Sequence, residues 1–288
     1  MLQYQKPTVF PSEIVSCYIE INAGVFPDLS DGLDFKIKNK EVLKASLDIV
    51  SAQLTLNKAC VVTANQMHQD TVLLINEVLE DFTVLECDAI VTQNLQIVPS
   101  VRSADCGNIL LFDPISKVRA AIHSGYRGTD LNIVGKTVGF MKGLGVDSSH
   151  ILAFIGPSIG QNALWVWQTS GRNCPQEFKV GFEEELLHCA QDDTSGVQNN
   201  SNLAKYLQLA HAEIQNFPEN QKPGFLIDLN GWLKYQLLQA GLLEKNIEVC
   251  KINTFEDIRF HSQRRARIVN QTKDFGVGLG LIAFKSGL

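Results

Sequence analysis

A regular spacing of hydrophobic residues marks one helix early in the chain. Four apolar residues follow one another at intervals of four, three and four positions: Leu43, Leu47, Val50 and Leu54. At about 3.6 residues per turn, these side chains fall on one face of a helix. The pattern predicts a helix over residues 39–56 that packs this face against a sheet. A strand over residues 14–21 and a loop over residues 24–34 are predicted upstream of it.

Downstream of this helix the pattern changes to short runs of β-branched and aliphatic residues, which are typical of strands. Asp113 and Pro114 separate the last two runs, and because Asp-Pro is typical of a tight connection, these runs are predicted to pair as a hairpin. That pairing would bring Cys106 and His123, at the outer ends of the hairpin, close together. The predicted strands cover residues 60–63, 72–75, 89–92, 108–112 and 118–122.

The second half of the chain mixes helical patterns with single strands. The polar residues 191–202 are interpreted as a mobile insertion. Because strands cluster in the first half without regular β-α-β alternation, the pattern favours an α+β fold, with mixed sheets flanked by helices, over a doubly wound fold. Helices are predicted over residues 133–144, 177–190, 203–216 and 228–240, and strands over residues 151–155, 247–252 and 277–284.

Composition and charge narrow the class of protein. The chain has 288 residues, is 45% hydrophobic and carries a net charge of -6, so it can bury a large core and has no general attraction to nucleic acid or anionic membranes. We therefore expect a small-molecule substrate. No run approaches the roughly 20 apolar residues that span a bilayer, and residues 1–10 lack the pattern of a signal peptide. The seven scattered cysteines favour reduced thiols and a cytoplasmic protein.

A thiol and two imidazoles lie at the ends of consecutive apolar segments. His68 precedes Cys106 by 38 residues and Cys106 precedes His123 by 17, so only the fold could bring the three together. Two imidazoles and a thiolate are a known set of zinc ligands, and they leave a fourth position open for water or substrate. Two plainer interpretations stay open. Cys106 could be a small buried hydrophobic residue, and His68 a solvated residue of a turn.

The same residues admit a second catalytic interpretation. Cys106 could be a nucleophile with His123 as its base, as in acyl-transfer hydrolases. Asp105 would point away from this pair if it lay on the same strand, so it could instead position a ligand or a group behind the metal.

Positive charges and glycines mark possible binding segments. Arg127 precedes the helix predicted from residue 133, and a guanidinium beside helix N–H groups favours phosphate or carboxylate, although a surface ion pair explains Arg127 equally well. Glycines in the segment Gly156-Pro157-Ser158-Ile159-Gly160 allow backbone N–H groups to approach a ligand. Arg264 and Arg265 add donors near the C-terminus, where a solvated basic edge is the more common explanation.

Several of these motifs occur together and in order within a motif-bearing core of about residues 60–160. The motifs are His68, Asp88-Ala89-Ile90-Val91-Thr92, Ala104-Asp105-Cys106, Asp113-Pro114, His123-Ser124-Gly125-Tyr126-Arg127-Gly128 and Gly156-Pro157-Ser158-Ile159-Gly160. With them the chain resembles the YfiH family, also called laccase-domain or polyphenol oxidase-like, whose members act as purine nucleoside phosphorylases. The segment from Phe260 to Arg265 resembles the family's C-terminal aromatic-Ser-x-Arg-Arg stretch.

The resemblance implies one YfiH-like α+β domain over residues 1–288 and a zinc ion bound by His68, Cys106 and His123. It implies phosphorolysis of adenosine, inosine and methylthioadenosine to the free base and ribose 1-phosphate, with adenosine deamination as a further activity. The expected partners are a nucleoside and phosphate. The catalytic residues that it implies are Cys106, His123 and Arg127, and the substrate or phosphate ligands are Arg127, Ser158, Arg264 and Arg265.

The chain departs from the family's pattern at three places. Near the N-terminus, the family has an Arg-x-Gly-Gly-like loop, where this chain has Asn22-Ala23-Gly24-Val25. The family's Tyr-Glu-Val is replaced by Trp165-Val166-Trp167, and its terminal Gly-Arg by Gly276-Val277. We expect the two missing arginines to weaken phosphate binding.

The alternatives to a nucleoside phosphorylase are a Cys106-dependent amidohydrolase that edits peptidoglycan precursors, and a binding module that keeps the fold. Copper-dependent phenol oxidation is less favoured, because multicopper chemistry needs more histidines than the six present.

Overall fold

A computed structural model describes residues 3–20, 40–56, 60–78, 85–167, 173–180, 223–273 and 275–285. Within them, three sheets are flanked by helices, and two of the sheets combine parallel and antiparallel pairs. This arrangement confirms the predicted α+β class. The predictions for residues 24–34, 191–202 and 203–216 lie outside the described residues.

The helices and strands are numbered here in chain order. The strands are β1 (Gln3–Gln5), β2 (Ile14–Glu20), β3 (Cys60–Val62), β4 (Val72–Leu74), β5 (Ala89–Thr92), β6 (Ile97–Ser103), β7 (Gly107–Phe112), β8 (Arg119–Ser124), β9 (Leu152–Ile155), β10 (Trp165–Trp167), β11 (Lys179–Val180), β12 (Pro223–Ile227), β13 (Ile247–Val249) and β14 (Gly278–Phe284). The α-helices are α1 (Lys40–Gln53), α2 (Tyr126–Asp130), α3 (Ile133–Gly143), α4 (Leu229–Gln239) and α5 (Gln263–Ile268).

The three sheets have a simple order. Six strands form the sheet β13-β9-β7-β8-β5-β4, five form β1-β2-β14-β6-β3, and three form β10-β12-β11. In the six-stranded sheet the central pairs are antiparallel, and the outer pairs β13 with β9 and β4 with β5 are parallel.

Alternate side chains of β7 show how the layers pack. Ile109 and Leu111 belong to a buried cluster that includes side chains of α3 and α4. Leu110 and Phe112 point the other way and pack with side chains of β6 and β14 in the five-stranded sheet. Successive residues of a strand face opposite sides of its sheet. The six-stranded sheet is therefore covered on both faces, by helices on one side and by the five-stranded sheet on the other.

Helix α1 confirms the helical spacing predicted for residues 39–56. Leu43, Leu47 and Val50 are buried and pack against side chains of β2, β3, β6 and β14. The helix covers the outer face of the five-stranded sheet. Leu54 lies just beyond its end and is only partly buried.

The predicted hairpin is present as β7 and β8. The two strands are antiparallel, with Gly107 opposite Ser124 and Asn108 opposite His123. Asp113 closes the connection, because its carboxylate accepts the N–H of Ser116 at 2.9 Å and its backbone oxygen accepts the N–H of Lys117 at 2.9 Å. Cys106 directly precedes β7 and so lies beside the end of β8, as the pairing required.

The structure differs from the sequence prediction in several elements: β1, β10, β12, α2 and α5 were not predicted, and two further differences concern β6 and the helix predicted from residue 177. Strand β6, between β14 and β3, was not predicted; it contains Pro99, which cannot donate a ladder hydrogen bond and usually argues against a strand. The helix predicted from residue 177 is absent over the described part of that range. There a 3₁₀ turn, Gln176–Phe178, leads into β11, which pairs with β12.

Candidate metal centre

His68, Cys106 and His123 come from three different parts of the fold and meet at one end of the six-stranded sheet. His68 lies in the loop between β3 and β4, Cys106 precedes β7, and His123 lies in β8. One ligand atom of each residue lies within 4.8 Å of the other two. The Cys106 Sγ is 4.0 Å from the His68 Nε2, and the two imidazole rings meet edge to face with centroids 4.7 Å apart.

Burial changes across this group. His123 is buried, Cys106 is partly buried and His68 is exposed. His123 and Cys106 therefore supply their ligand atoms from the open end of the hairpin, while His68 supplies its ligand atom from a surface loop. The centre is consequently open to solvent on the His68 side, where a small molecule could approach it.

Asp88 holds both histidines in place. It directly precedes β5, and its Oδ1 lies 2.8 Å from the Nδ1 of His123, so the Nε2 of that ring faces the group. Its carboxylate also accepts the backbone N–H groups of Met67, His68 and Gln69 at 3.1, 3.0 and 2.9 Å. These bonds fix the loop in which His68 adopts a left-handed backbone conformation, with φ of 57°. One buried carboxylate thus orients two of the three candidate ligands.

Electrostatics favour the ionised thiol. Burial alone would raise the pKa of Cys106, but His123 and His68 outweigh burial and lower this pKa to about 6. Burial alone would lower the pKa of His123, but Cys106 and Asp88 outweigh it and raise this pKa to about 9. At Asp88, burial opposes ionisation, yet the hydrogen bonds from His123 and from the backbone of the loop lower the pKa of the carboxyl. Thiolate is the form that binds metal ions.

The donor set fits a metal ion. Two imidazole nitrogens and a thiolate converge, and a carboxylate bound to the far nitrogen of His123 fixes that ring in the way common behind metal-binding histidines. The group can therefore bind a metal ion. The structure bears out the three residues as a cluster that the fold assembles.

Gly125 leaves room for the thiol. A Cβ at this position would lie 2.9 Å from the Cys106 Sγ, closer than packed atoms tolerate, and 3.4 Å from the His68 Cδ2, an ordinary contact. Its backbone has φ of -74°, which any residue can adopt, so the requirement for glycine is steric. The sequence analysis named Gly125 only as part of the motif that contains His123 and gave it no role of its own.

Gly125→Ala is expected to weaken metal binding by about tenfold or more, the scale seen when groups behind metal ligands are changed. The added methyl group would displace the Cys106 Sγ. A competition titration with a chelator measures the affinity. Gly139→Ala is the matched control: nothing lies within 4 Å of its Cβ position in α3, so metal affinity should stay unchanged and stability should rise by about 0.5–1 kcal/mol. Equal affinities in the two variants would contradict the steric role of Gly125.

Arg127 lies in a different setting from the one predicted. It belongs to the short helix α2, which comes just before α3 in the chain. In the first turn of α3, the N–H of Gly135 donates to the side chain of the capping residue Asn132 at 3.1 Å. Arg127 is therefore itself part of a short helix, and the anion site predicted from it stays a prediction. The Arg127 side chain is exposed and its Nε donates to the Tyr126 hydroxyl at 3.0 Å.

The segment of residues 156–160 uses its polar groups within the fold. The backbone N–H groups of Gly156, Ile159 and Gly160 donate to oxygens of Asn108, Asp105 and Asn253. Ser158 is buried, and its hydroxyl donates to the Asn230 Oδ1 at 2.8 Å. This segment is therefore tied to Asp105, the neighbour of Cys106, and substrate binding by Ser158 stays a prediction.

The two neighbouring arginines of α5 have different surroundings. The Arg264 guanidinium lies over the ring of Trp165, with its Cζ 4.0 Å from the ring centroid. The Arg265 guanidinium donates to the backbone oxygens of Thr254 and Phe255 at 2.6 and 2.8 Å, and also to that of Phe260. Arg265 thus braces a loop, whereas the Arg264 guanidinium also donates to the backbone oxygen of Trp165 at 3.5 Å. Phosphate binding by either arginine stays a prediction.

Two supporting residues were missed by sequence reasoning. Asp88 appeared only as part of a motif, although an aspartate that directly precedes a buried strand was a possible signal. Thr254 carried no recognisable pattern; its hydroxyl donates to the Asp105 Oδ1 at 2.8 Å. In both cases the partners are distant in sequence, and only the fold reveals them.

These features define an α+β protein with a His-Cys-His group at one end of a sheet. The family model described as "Multi-copper polyphenol oxidoreductase laccase" matches residues 24–285. The chain belongs to this family, and the resemblance drawn from the motifs is confirmed. Within the described residues, no helix has the length and apolar character required to cross a lipid bilayer.

Several relatives are named purine nucleoside phosphorylase. The protein of that name from Streptomyces coelicolor is 35% identical over 115 residues, which are 40% of this chain and 48% of the relative, so the chain spans about half the length of that protein. The one from Rickettsia conorii is 26% identical over 256 residues and covers 85% of this chain and 91% of the relative.

Solved structures show the same fold. YlmD from Geobacillus stearothermophilus aligns with a TM-score of 0.68 at 18% identity and covers 98% of this chain and 96% of its own. The Neisseria meningitidis protein NMB0706 aligns with a TM-score of 0.65 at 21% identity and covers 99% of each chain.

Proposed function

We propose that this protein is a zinc-dependent purine nucleoside phosphorylase that acts on adenosine, inosine and methylthioadenosine, with adenosine deamination as a second activity of the same site. The observation that carries the proposal is the cluster of His68, Cys106 and His123, oriented by Asp88 and open to solvent. The names of the relatives support the reaction class.

Zinc is the metal that this donor set favours. One thiolate with two imidazoles is typical of zinc sites that keep a position open for water or substrate. Bound zinc would polarise substrate oxygens and lower the pKa of a bound water toward about 7. The chain's own contribution is to present the thiolate of Cys106 and to hold His123 through Asp88 with the Nε2 toward the site.

Phosphorolysis needs an anion next to the nucleoside. An oxygen of phosphate forms a bond to C1′ of the ribose, the bond from C1′ to the purine nitrogen breaks with its electron pair leaving on the base, and the base takes up a proton. Arginine suits the phosphate because its guanidinium offers several donors and a fixed charge. Arg127 lies four residues after His123, and Arg264 follows a loop that contacts Asp105, the neighbour of Cys106. These two arginines are the proposed phosphate ligands.

Incubation of zinc-loaded protein with adenosine and phosphate, followed by chromatography, tests the proposal. We expect adenine and ribose 1-phosphate from phosphorolysis and inosine from deamination. In a matched reaction without phosphate, adenine should disappear from the products while inosine remains. If neither adenine nor inosine forms at high enzyme load, the proposed function is wrong.

A second candidate function follows from the same geometry. Asp88, His123 and Cys106 form a chain of carboxylate, imidazole and thiol in which the shifted pKa values favour a thiolate and an imidazolium at neutral pH. Such a chain is typical of cysteine nucleophiles in acyl transfer. An amidohydrolase that edits peptidoglycan precursors would use it without a metal. Chelation should then leave hydrolysis of an amide substrate intact, and alkylation of Cys106 should abolish it.

The pH dependence of alkylation of the metal-free protein checks the state of this thiol. Because the pKa of Cys106 is lowered to about 6, the thiolate is present above that pH and lost below it. The alkylation rate should fall about tenfold from pH 7 to pH 5. Burial raises the pKa of Cys17, Cys87 and Cys174 to about 12, so these thiols should react far more slowly. Peptide mass spectrometry measures each site. Equal rates at Cys106 and Cys87 would contradict the pKa assignment.

Multicopper oxidation, which the family's description names, is a weaker candidate. Such chemistry needs several copper sites rich in histidine. In the described part of the chain, one group of three histidine, cysteine or acidic residues has the spacing to hold a metal. A family member that keeps the fold as a binding module would instead show no turnover with either substrate class.

A further inference from the structure

Asp105 is the buried neighbour of the proposed ligand Cys106, and its carboxylate points away from the metal group. Its backbone has φ of 87°, a left-handed conformation that aspartate adopts more readily than most residues. This conformation turns the side chain toward the loop before α5. The carboxylate is therefore not a fourth member of the metal group, and it needs another explanation.

The carboxylate receives donors from two segments distant in sequence. Its Oδ2 accepts the backbone N–H of Arg264 at 2.7 Å, and its Oδ1 accepts the hydroxyl of Thr254 at 2.8 Å. The Ser262 hydroxyl also hydrogen-bonds to it. In addition, the backbone oxygen of Asp105 accepts the N–H of Ile159 at 2.9 Å. One residue thus joins the Cys106 turn to the start of α5 and to the segment of residues 156–160.

The start of α5 is fixed from a second side as well. Ser262 caps the helix by accepting the N–H of Arg265 at 3.0 Å, and the Arg265 guanidinium binds the backbone oxygen of Thr254 at 2.6 Å. Thr254 in turn donates to Asp105. These contacts link Asp105, Thr254, Arg265 and Arg264 into a closed network. The network fixes the backbone of Arg264, and the Arg264 side chain extends from it to lie over the aromatic ring of Trp165.

We infer that Asp105 is a positioning residue that fixes Arg264 for anion binding beside the metal centre. The inference rests on the proposed function, because it takes Arg264 as a phosphate ligand. Without the carboxylate, the first turn of α5 loses a buried acceptor for an N–H group, and a buried N–H without a partner is costly. The turn would shift and take the guanidinium with it. The hydrogen bonds of the Asp105 carboxylate go to Arg264, Thr254 and Ser262, so its effect should appear in phosphate affinity.

The test compares Asp105→Gly with Asp105→Asn in the zinc-loaded, full-length protein. Glycine removes the carboxylate and tolerates the positive φ, so backbone strain does not confuse the result. Asparagine also tolerates this φ and keeps an oxygen for the Arg264 N–H, while the Thr254 hydroxyl can rotate to accept from the new amide. We expect Asp105→Gly to weaken binding of inorganic phosphate about tenfold by calorimetry, and Asp105→Asn to restore it to within about threefold of the wild type.

A double-mutant cycle separates positioning from general destabilisation. Arg264→Ala should weaken phosphate binding as much as Asp105→Gly does, and the double variant should be no weaker than either single variant. In turnover assays the loss should appear as a raised KM for phosphate with little change in kcat. Zinc content should remain stoichiometric. Asp113→Asn is the matched control, since Asp113 is a buried aspartate at the far end of the same hairpin, and it should leave phosphate affinity unchanged.

The outcomes are distinct. Equal phosphate affinity in the wild type and Asp105→Gly, or no measurable phosphate binding in either, overturns the inference. Additive losses in the double variant overturn it as well, because they would show that Asp105 acts independently of Arg264. Absence of nucleoside turnover in the wild type contradicts the proposed function alone, since the calorimetric comparison does not depend on turnover.

Discussion

Replacement of His123 by alanine is expected to abolish stoichiometric metal binding and to lower nucleoside turnover by about three orders of magnitude or more, the scale on which catalysis falls when one member of a catalytic unit is removed. His123 is the buried member of the group, and its ring is fixed by Asp88 on one side while it faces Cys106 on the other. The variant would leave one thiolate and one exposed imidazole, which is too few ligands for a closely held ion. Metal analysis of the purified protein and the chromatographic assay measure the two effects.

His150→Ala is the matched control for this prediction. His150 is exposed at the end of the 3₁₀ turn Ser148–His150, and it lies outside the metal group. Its replacement should change neither metal content nor turnover. A His123→Ala protein that still binds one equivalent of metal with wild-type affinity would show that His123 is not a ligand.

Replacement of Asp88 by alanine should have the second largest effect, and it should act on both metal affinity and stability. The Asp88 carboxylate accepts from three backbone N–H groups as well as from His123, and all four partners would lose their acceptor. Loss of a group behind metal ligands typically lowers metal affinity by about 10- to 100-fold. Loss of one partner in a buried charged network costs about 3 kcal/mol. Zinc competition and thermal unfolding of the metal-free protein measure the two effects.

Asp113→Ala separates the two effects of Asp88. Asp113 is also a buried aspartate that accepts backbone N–H groups, but it lies at the closed end of the hairpin, away from the ligands. It should lower stability without changing metal affinity. If Asp88→Ala behaves in the same way as Asp113→Ala, the carboxylate is a structural group only and does not orient the histidines.

The pairing of Cys106 with His123 could be predicted from the sequence because it depends on local chemistry. Asp113 and Pro114 set the turn, the apolar runs on either side set the strands, and the register then places the outer ends together. Each step uses residues that lie within the hairpin itself. His68 could not be placed in this way. Its loop depends on hydrogen bonds to Asp88, which is 20 residues away, so residue type and spacing offered His68 only as a candidate, and the resemblance to the family implied it as the third ligand.

Other parts of the site could not be predicted from the sequence, and the reasons are physical. Arg264 and Arg265 look alike in the sequence, yet adjacent residues of a helix point in different directions, and only one guanidinium lies over Trp165. The strand that contains Pro99 was missed because proline usually argues against a strand. In the structure, Pro99 lies opposite Val62 of β3. Because β3 is only three residues long, few ladder hydrogen bonds depend on this pairing.

The spacing of the three candidate ligands along the chain has a consequence for unfolding. An ion bound to His68, Cys106 and His123 would close two chain loops, of 38 and 17 residues, that no described disulfide closes. Unfolding would then have to release the ion, so free metal at a hundred times its dissociation constant would raise the free energy of unfolding by about 2.7 kcal/mol. The same ion would act as a removable cross-link between the surface loop that carries His68 and the central sheet. The melting temperature of this protein would then rise with the concentration of free metal in its surroundings.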